Sequence, residues 1–186
     1  MKRFFDIVFV VILSVFLIIP IIIILIFIKL SSPGPAIYWS KRIGRCNKIF
    51  NMPKFRSMKK DTPEVATDLL DNPKLWITPI GSFLRKTSLD ELPQLWSILQ
   101  GHMSFVGPRP ALYNQDELKK MRTELNIHKI RPGVTGLAQI EGRDEIPLNQ
   151  KVLLDKNYLD KQSLFLDLKI IIITLKKIVI RDGISH

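Results

Sequence analysis

Residues 7–28 form an uncharged, almost wholly apolar run, and no other feature restricts the architecture so strongly. At the helical rise, about 22 residues span roughly 33 Å, enough to cross the hydrocarbon core of a bilayer. Lys2 and Arg3 precede the run as the basic end of a secretory signal would. The run is too long for a signal, however, and Lys29-Leu30-Ser31-Ser32-Pro33 makes a poor small-residue cleavage site. Residues 1–30 are therefore read as a retained membrane anchor.

Pro20 interrupts that segment. Proline removes a backbone donor and clashes with the preceding turn, so a break or kink is expected there. Split at Pro20, the arms 7–19 and 21–28 are about 20 Å and 12 Å long, and neither crosses alone. Basic residues flank both sides: Lys2 and Arg3 before, then Lys29, Lys41, Arg42, Arg45 and Lys48 after. If positive charge stays inside, both ends lie on the cytoplasmic face and the anchor is a re-entrant helix-break-helix. A Pro-kinked spanning helix is the alternative, since such prolines are tolerated in bilayers. The residues alone leave these two open. In both, the stronger basic flank follows the anchor and puts residues 31–186 on the cytoplasmic face.

The formal net charge of +11 points to anionic partners: acidic lipid head groups, phosphorylated substrates or nucleic acid. One cysteine, Cys46, excludes an internal disulfide, and His102, His128 and His186 show no zinc-ligand spacing. The breaker cluster Ser31-Ser32-Pro33-Gly34-Pro35 ends the anchor. Segments 36–39 and 49–55 read as a hairpin about the basic stretch 41–48. Residues 61–72 carry Asp61, Glu64, Asp68 and Asp71 at helical spacing, a solvated face or loop with no assigned chemistry. Helices are expected over 94–99 (stopped by Gly101), 115–125 and 148–159. Segment 163–180 is apolar, with Lys169, Lys176 and Lys177 set roughly a face apart from its isoleucines. It suits a core helix or an amphipathic one in the membrane interface, because Asp167 and three lysines argue against a second span. The fold class is α+β, mainly helical, with a small β-hairpin.

Asp90 and Glu91 occur in Thr87-Ser88-Leu89-Asp90-Glu91-Leu92-Pro93. Ser88 with Glu91 three residues later is a capping box, which would make both acids structural. A second phasing puts Pro93 at the first helical position and leaves the acids in the preceding turn. Around them lie Arg85 and Lys86, and the stiff Pro108-Arg109-Pro110, which presents a guanidinium suited to phosphate. Lys54, Arg56, Arg131 and Arg143 add cations beside further turns. Carboxylates able to hold Mg²⁺ among such cations make a set suited to phosphoryl transfer.

The stretches KFRSM (54–58), LRKTSLDELPQL (84–95), MSFVGPRP (103–110) and RPGVTGLAQ (131–139), with Gly142-Arg143, resemble the bacterial sugar transferase family. These are the monotopic polyprenyl-phosphate phosphoglycosyl transferases, and the likeness runs from the anchor to Leu166-Asp167-Leu168-Lys169, as in the family's minimal form. The resemblance implies transfer of a phospho-sugar from a UDP-sugar to polyprenyl (undecaprenyl) phosphate, with release of UMP, at the bacterial inner membrane. It implies Asp90 as nucleophile forming an aspartyl-phosphosugar, Mg²⁺ at Asp90 and the diphosphate, and Glu91 as helper. Pro108, Arg109 and Pro110 match the family's nucleotide-binding element. Lys54, Arg56, Arg85, Arg131 and Arg143 become candidates for phosphate contacts. The family also favours the re-entrant anchor, although Ile19 stands where a serine is frequent before the proline, and Cys46-Asn47-Lys48 where glycine is common. The rival is a non-enzymatic basic anchor protein binding acidic lipid or nucleic acid. It leaves the Gly/Pro turns around Arg109 and Arg131 without a purpose, so no nucleic-acid partner is expected.

Overall fold

A computed structural model describes residues 1–63, 72–142 and 146–180. The apolar run is one helix, α1 (Lys2–Ser31), with Pro20 inside it. The expected separation into two arms does not occur. Proline deletes only its own donor, and helical structure is kept on both sides of it.

Both ends of α1 rest on the rest of the chain. Asp6, Val10, Ile24 and Ile28 are its buried residues, and their spacings of four and fourteen place them on one helical face. At the N-terminal end Lys2 Nζ meets Asp167 Oδ2 at 2.5 Å, and Arg3 donates to the carbonyls of Ile98 and Leu99. Asp6 Oδ1 accepts from Ser104 Oγ at 3.0 Å and from the Phe105 amide at 3.2 Å. At the other end Ile24 and Ile28 pack with Ala36, Phe55 and Leu84. Between them the helix is bare: Val15 is 70% exposed and Phe16 75%. An uncovered apolar surface of this kind needs a non-aqueous neighbour.

Strands β1 (Ile37–Ile43) and β2 (Ile49–Phe55) form the expected antiparallel hairpin, in register from Ile37 opposite Phe55 to Ile43 opposite Ile49. The first strand is longer than the sequence suggested, taking in Lys41 and Arg42, the latter with its guanidinium bound to the Ser40 hydroxyl and the Pro110 carbonyl. Cys46 and Asn47 close the turn with φ of 55° and 58°.

Helices α2 (Pro79–Lys86) and α3 (Gln94–Gln100) follow, and Gly101 stops α3 at φ 84° as expected. A second sheet was not foreseen. It pairs β3 (Ser104–Val106) in parallel with β4 (Gly133–Thr135), three residues each, too short to show alternation in sequence. Helices α4 (Asp116–Glu124) and α6 (Leu148–Lys161) match their expected segments, and α5 (Leu137–Glu141) is a short addition. Of the acidic stripe at 61–72, residues 64–71 lie outside the described residues.

Helix α7 (Leu164–Ile180) packs one side on β3 and α5, burying Asp167 and Ile170. Its other side carries Phe165, Leu168, Ile172 and Leu175, all exposed. The Asp167 charge that argued against a second span is answered internally. Its carboxylate binds Lys2 and accepts from the Tyr158 hydroxyl at 2.6 Å.

Candidate active site

Thr78 starts α2 by accepting the Gly81 amide, with Pro79 at the first helical position, where a missing donor costs nothing. After Lys86 the chain reverses through Ser88 at φ 56°, and residues Leu89–Glu91 form a single 3₁₀ turn. The capping box is therefore not formed: Ser88 makes no side-chain cap bond. A left-handed Ser88 reaches no N-cap geometry, and the Glu91 carboxylate is drawn to cations instead. The alternative phasing was nearer, with Pro93 just before α3 rather than within it. Leu89 and Leu92 pack on the cluster of Ile24, Ile28, Ala36, Phe55 and Leu84, where the end of α1 meets β2 and α2, and so fix the turn. Asp90, between them, is 9% exposed.

The end of β2 sends Lys54 to this turn, where Nζ donates to Glu91 Oε1 at 3.0 Å. Arg109 NH1 approaches the same oxygen at 3.5 Å. Arg85, in the last turn of α2, lies against Met58 Sδ and close enough to act electrostatically on Asp90. Burial pushes the Asp90 carboxyl above the ordinary carboxylate range. Lys54 opposes that rise most strongly, Glu91 adds to it, and Arg85 and Arg109 oppose it. The tertiary fold thus brings Asp90, Glu91, Lys54, Arg85 and Arg109 into one group.

Other candidates go elsewhere. Arg56 is buried, and its guanidinium is engaged by the Pro33 carbonyl and by the Ser32 carbonyl and hydroxyl. It closes the junction between anchor and domain, because a buried guanidinium must find acceptors and the breaker cluster offers them. Arg131 donates through Nε to the Gly101 carbonyl at 2.8 Å, with Arg3 and Arg45 nearby. Burial, then those two cations, lower its pKa. Neither side chain is among the groups acting on Asp90. Arg143 lies outside the described residues.

Pro108, Arg109 and Pro110 form a loop held through its carbonyls. The Gly133 amide donates to Pro108 O at 2.9 Å, Arg122 NH1 to Arg109 O at 2.8 Å, and Arg42 NH1 to Pro110 O at 3.1 Å. Sequence reasoning missed Arg122, which looked like one more charge on a polar helix. Its partner Asp155 is far along the chain, so no local pattern pointed to it.

Among the described residues no three metal-ligating side chains gather. Asp90 offers a hard oxygen donor of the kind that holds Mg²⁺ together with substrate phosphates. Glu91 is already engaged with Lys54 and Arg109. A poorly solvated carboxylate ringed by cations can bind a polyanion and attack an electrophilic centre in it.

A family described as "Bacterial sugar transferase" matches residues 1–181 of the chain. An "Undecaprenyl-phosphate galactose phosphotransferase" of Salmonella typhimurium is 39% identical, over 98% of this chain and 41% of the relative. A "UDP-glucose:undecaprenyl-phosphate glucose-1-phosphate transferase" of Escherichia coli is 40% identical, over 81% of this chain and 34% of the relative. The chain thus spans less than half the length of these relatives. It covers 91% of an "Uncharacterized sugar transferase EpsL" of Bacillus subtilis, at 36% identity over its own whole length.

Proposed function

Since the chain belongs to the bacterial sugar transferase family, we propose that it transfers a phospho-sugar from a UDP-sugar to undecaprenyl phosphate through Asp90. The observation that carries this reading is the placement of Asp90. The turn holding it packs through Leu89 and Leu92 on the cluster that Ile24 and Ile28 of α1 share with Ala36, Phe55 and Leu84, and Lys54, Arg85 and Arg109 act on its carboxylate. A water-soluble nucleotide sugar and a lipid phosphate must both reach one carboxylate, which requires a site at the membrane plane. A non-enzymatic anchor would have no use for a buried acid there.

In the first half-reaction an Asp90 oxygen attacks the sugar-side phosphorus of the UDP-sugar, and the bond from that phosphorus to the bridging oxygen breaks. UMP leaves with the electron pair, and an acyl phosphate links Asp90 to the sugar. In the second, an oxygen of the lipid phosphate attacks the same phosphorus and Asp90 is released. Burial leaves the carboxylate weakly hydrated and so more reactive, while the three cations oppose the rise in its pKa that burial causes. Lys54 and Arg109 hold Glu91, which orients the incoming phosphate or takes its proton. Mg²⁺, when held by Asp90 and the diphosphate, would neutralise charge as UMP departs.

The seating of both ends of α1 on one domain favours the re-entrant topology, reached by a bend of the continuous helix at Pro20 rather than by a break, with the bare stretch around Phe16 and Pro20 in the bilayer. The exposed apolar side of α7 suits the membrane interface, and the basic flanks favour the cytoplasmic face of the inner membrane.

The test is UMP release from a panel of UDP-sugars with undecaprenyl phosphate and Mg²⁺. Asp90→Asn is expected to abolish release while the protein stays in the membrane fraction. Substantial turnover by that variant removes Asp90 as nucleophile. Labelling of single cysteines at the two termini from opposite faces of sealed vesicles would remove the re-entrant topology.

A further inference from the structure

Arg122 and Asp155 stand behind the site, on α4 and α6, and no step above uses them. Asp155 is 1% exposed, and Arg122 is buried with it. Arg122 Nε and NH2 both donate to Asp155 Oδ2, at 3.0 and 2.7 Å, while NH1 donates to the Arg109 carbonyl at 2.8 Å. Joining two helices does not call for this arrangement. A buried ion pair loses so much hydration that a well-packed apolar pair of similar volume holds elements together as well or better.

What an apolar pair could not do is hold a carbonyl. Pro108 and Pro110 have no N–H, so this loop cannot be anchored by donors of its own at those positions. It is fixed instead by donors aimed at three successive carbonyls, from Gly133, Arg122 and Arg42. The middle one belongs to Arg109, whose guanidinium faces Glu91. A planar guanidinium can serve a carboxylate and a carbonyl in one fixed fork, which a lysine ammonium cannot reproduce.

We propose that Arg122, oriented by Asp155, is a positioning residue for phospho-sugar transfer: it fixes the main chain of Arg109 so that the Arg109 guanidinium meets Glu91 and the nucleotide diphosphate. The inference rests on the function proposed above. Asp155 sets the fork, the fork sets the loop, and the loop sets the cation. Neither Arg122 nor Asp155 touches substrate.

The full-length membrane protein is compared with Arg122→Lys and with the paired variant Arg122→Met plus Asp155→Leu, reading both UMP release and thermal melting. The paired variant should melt at or above the wild-type temperature. Its kcat/KM for the UDP-sugar should fall about 10- to 100-fold, as expected when a positioned group drifts by about an ångström. The KM for undecaprenyl phosphate should stay put. Arg122→Lys should fall to a similar degree while keeping the charge pair. A paired variant with native melting and native kcat/KM overturns the proposal.

Should the paired variant not fold, Arg122→Gln is made alone and in an Arg109→Ala background. Its effect on kcat/KM should vanish in that background, because both changes act on one cation. A further full loss there overturns the proposal. A wild-type chain that releases no UMP from any UDP-sugar would instead defeat the function itself and take this inference with it.

Discussion

Replacing Lys54 by methionine removes the cation that most opposes the burial of Asp90 and the nearer partner of Glu91, while keeping an unbranched apolar stem of similar length. The Lys54 and Glu91 side chains are each 17% exposed, between the surface and fully buried cases. Exposed pairs contribute about 0–1 kcal/mol, and breaking a buried pair costs about 3–5 kcal/mol, so a loss of roughly 1–3 kcal/mol at pH 7 is expected. For a chain of this size that is about 2–4 °C of melting temperature per kcal/mol. The sign of the pH dependence follows from linkage. Asp90 already has a folded pKa above its unfolded value, and without Lys54 it rises further. The variant therefore loses stability as pH rises through that raised folded value, whereas below the unfolded carboxylate pKa the deficit against wild type nearly disappears. The acidic limb of the pH–rate profile should move up with it, because Asp90 must be ionised to act as the proposed nucleophile. Melting curves and UMP release from pH 4 to 9 test both. A deficit that is the same at pH 4 and pH 8, or an unmoved acidic limb, would refute the claim that the Lys54 charge acts on these carboxylates.

Asp90→Asn, inactive by the mechanism, should melt no lower than wild type at pH 7 in EDTA, since it removes a buried charge; matched scans at pH 4 and 7 should show the difference shrinking in acid. Tyr158→Phe leaves the Val106 carbonyl and Asp167 without a shared donor and should cost about 2–4 kcal/mol, read by denaturant unfolding. Leu84→Ala opens the cluster joining Ile24 and Ile28 to Phe55 and should cost about 2–5 kcal/mol, with a looser anchor seen as increased proteolysis between 29 and 36. Gly107→Ala places a methyl 2.4 Å from the Arg131 carbonyl, so the Pro108–Pro110 loop must shift, and UMP release should fall more than melting does.

The anchor, the helices at 94–100, 116–124, 148–161 and 164–180, and the hairpin were legible because each rests on local chemistry: an uncharged run, a 3.6-residue pattern, a stop at Gly101. So were the candidate site motifs, since Asp90-Glu91 and Pro108-Arg109-Pro110 are contiguous. The β3–β4 pair was not, because three-residue parallel strands 29 positions apart carry no periodicity. Nor was the sorting of cations. Lys54, Arg56, Arg85, Arg109 and Arg131 look alike in sequence, yet the fold sends Arg56 to Ser32 and Arg131 to Gly101, and only Lys54, Arg85 and Arg109 to the acids. Long flexible side chains reach whichever acceptor tertiary packing leaves nearby, and that acceptor is rarely a neighbour in sequence. By itself, then, the sequence determined that this protein has an apolar anchor, a basic domain and a paired-acid motif, because composition and short-range pattern suffice for those. Only the tertiary structure decided that both ends of the anchor rest on one domain, that Asp90 is buried within reach of Lys54, Arg85 and Arg109, and that Arg122 holds the loop of Arg109. Those are contacts between residues tens of positions apart, fixed by packing the whole chain at once.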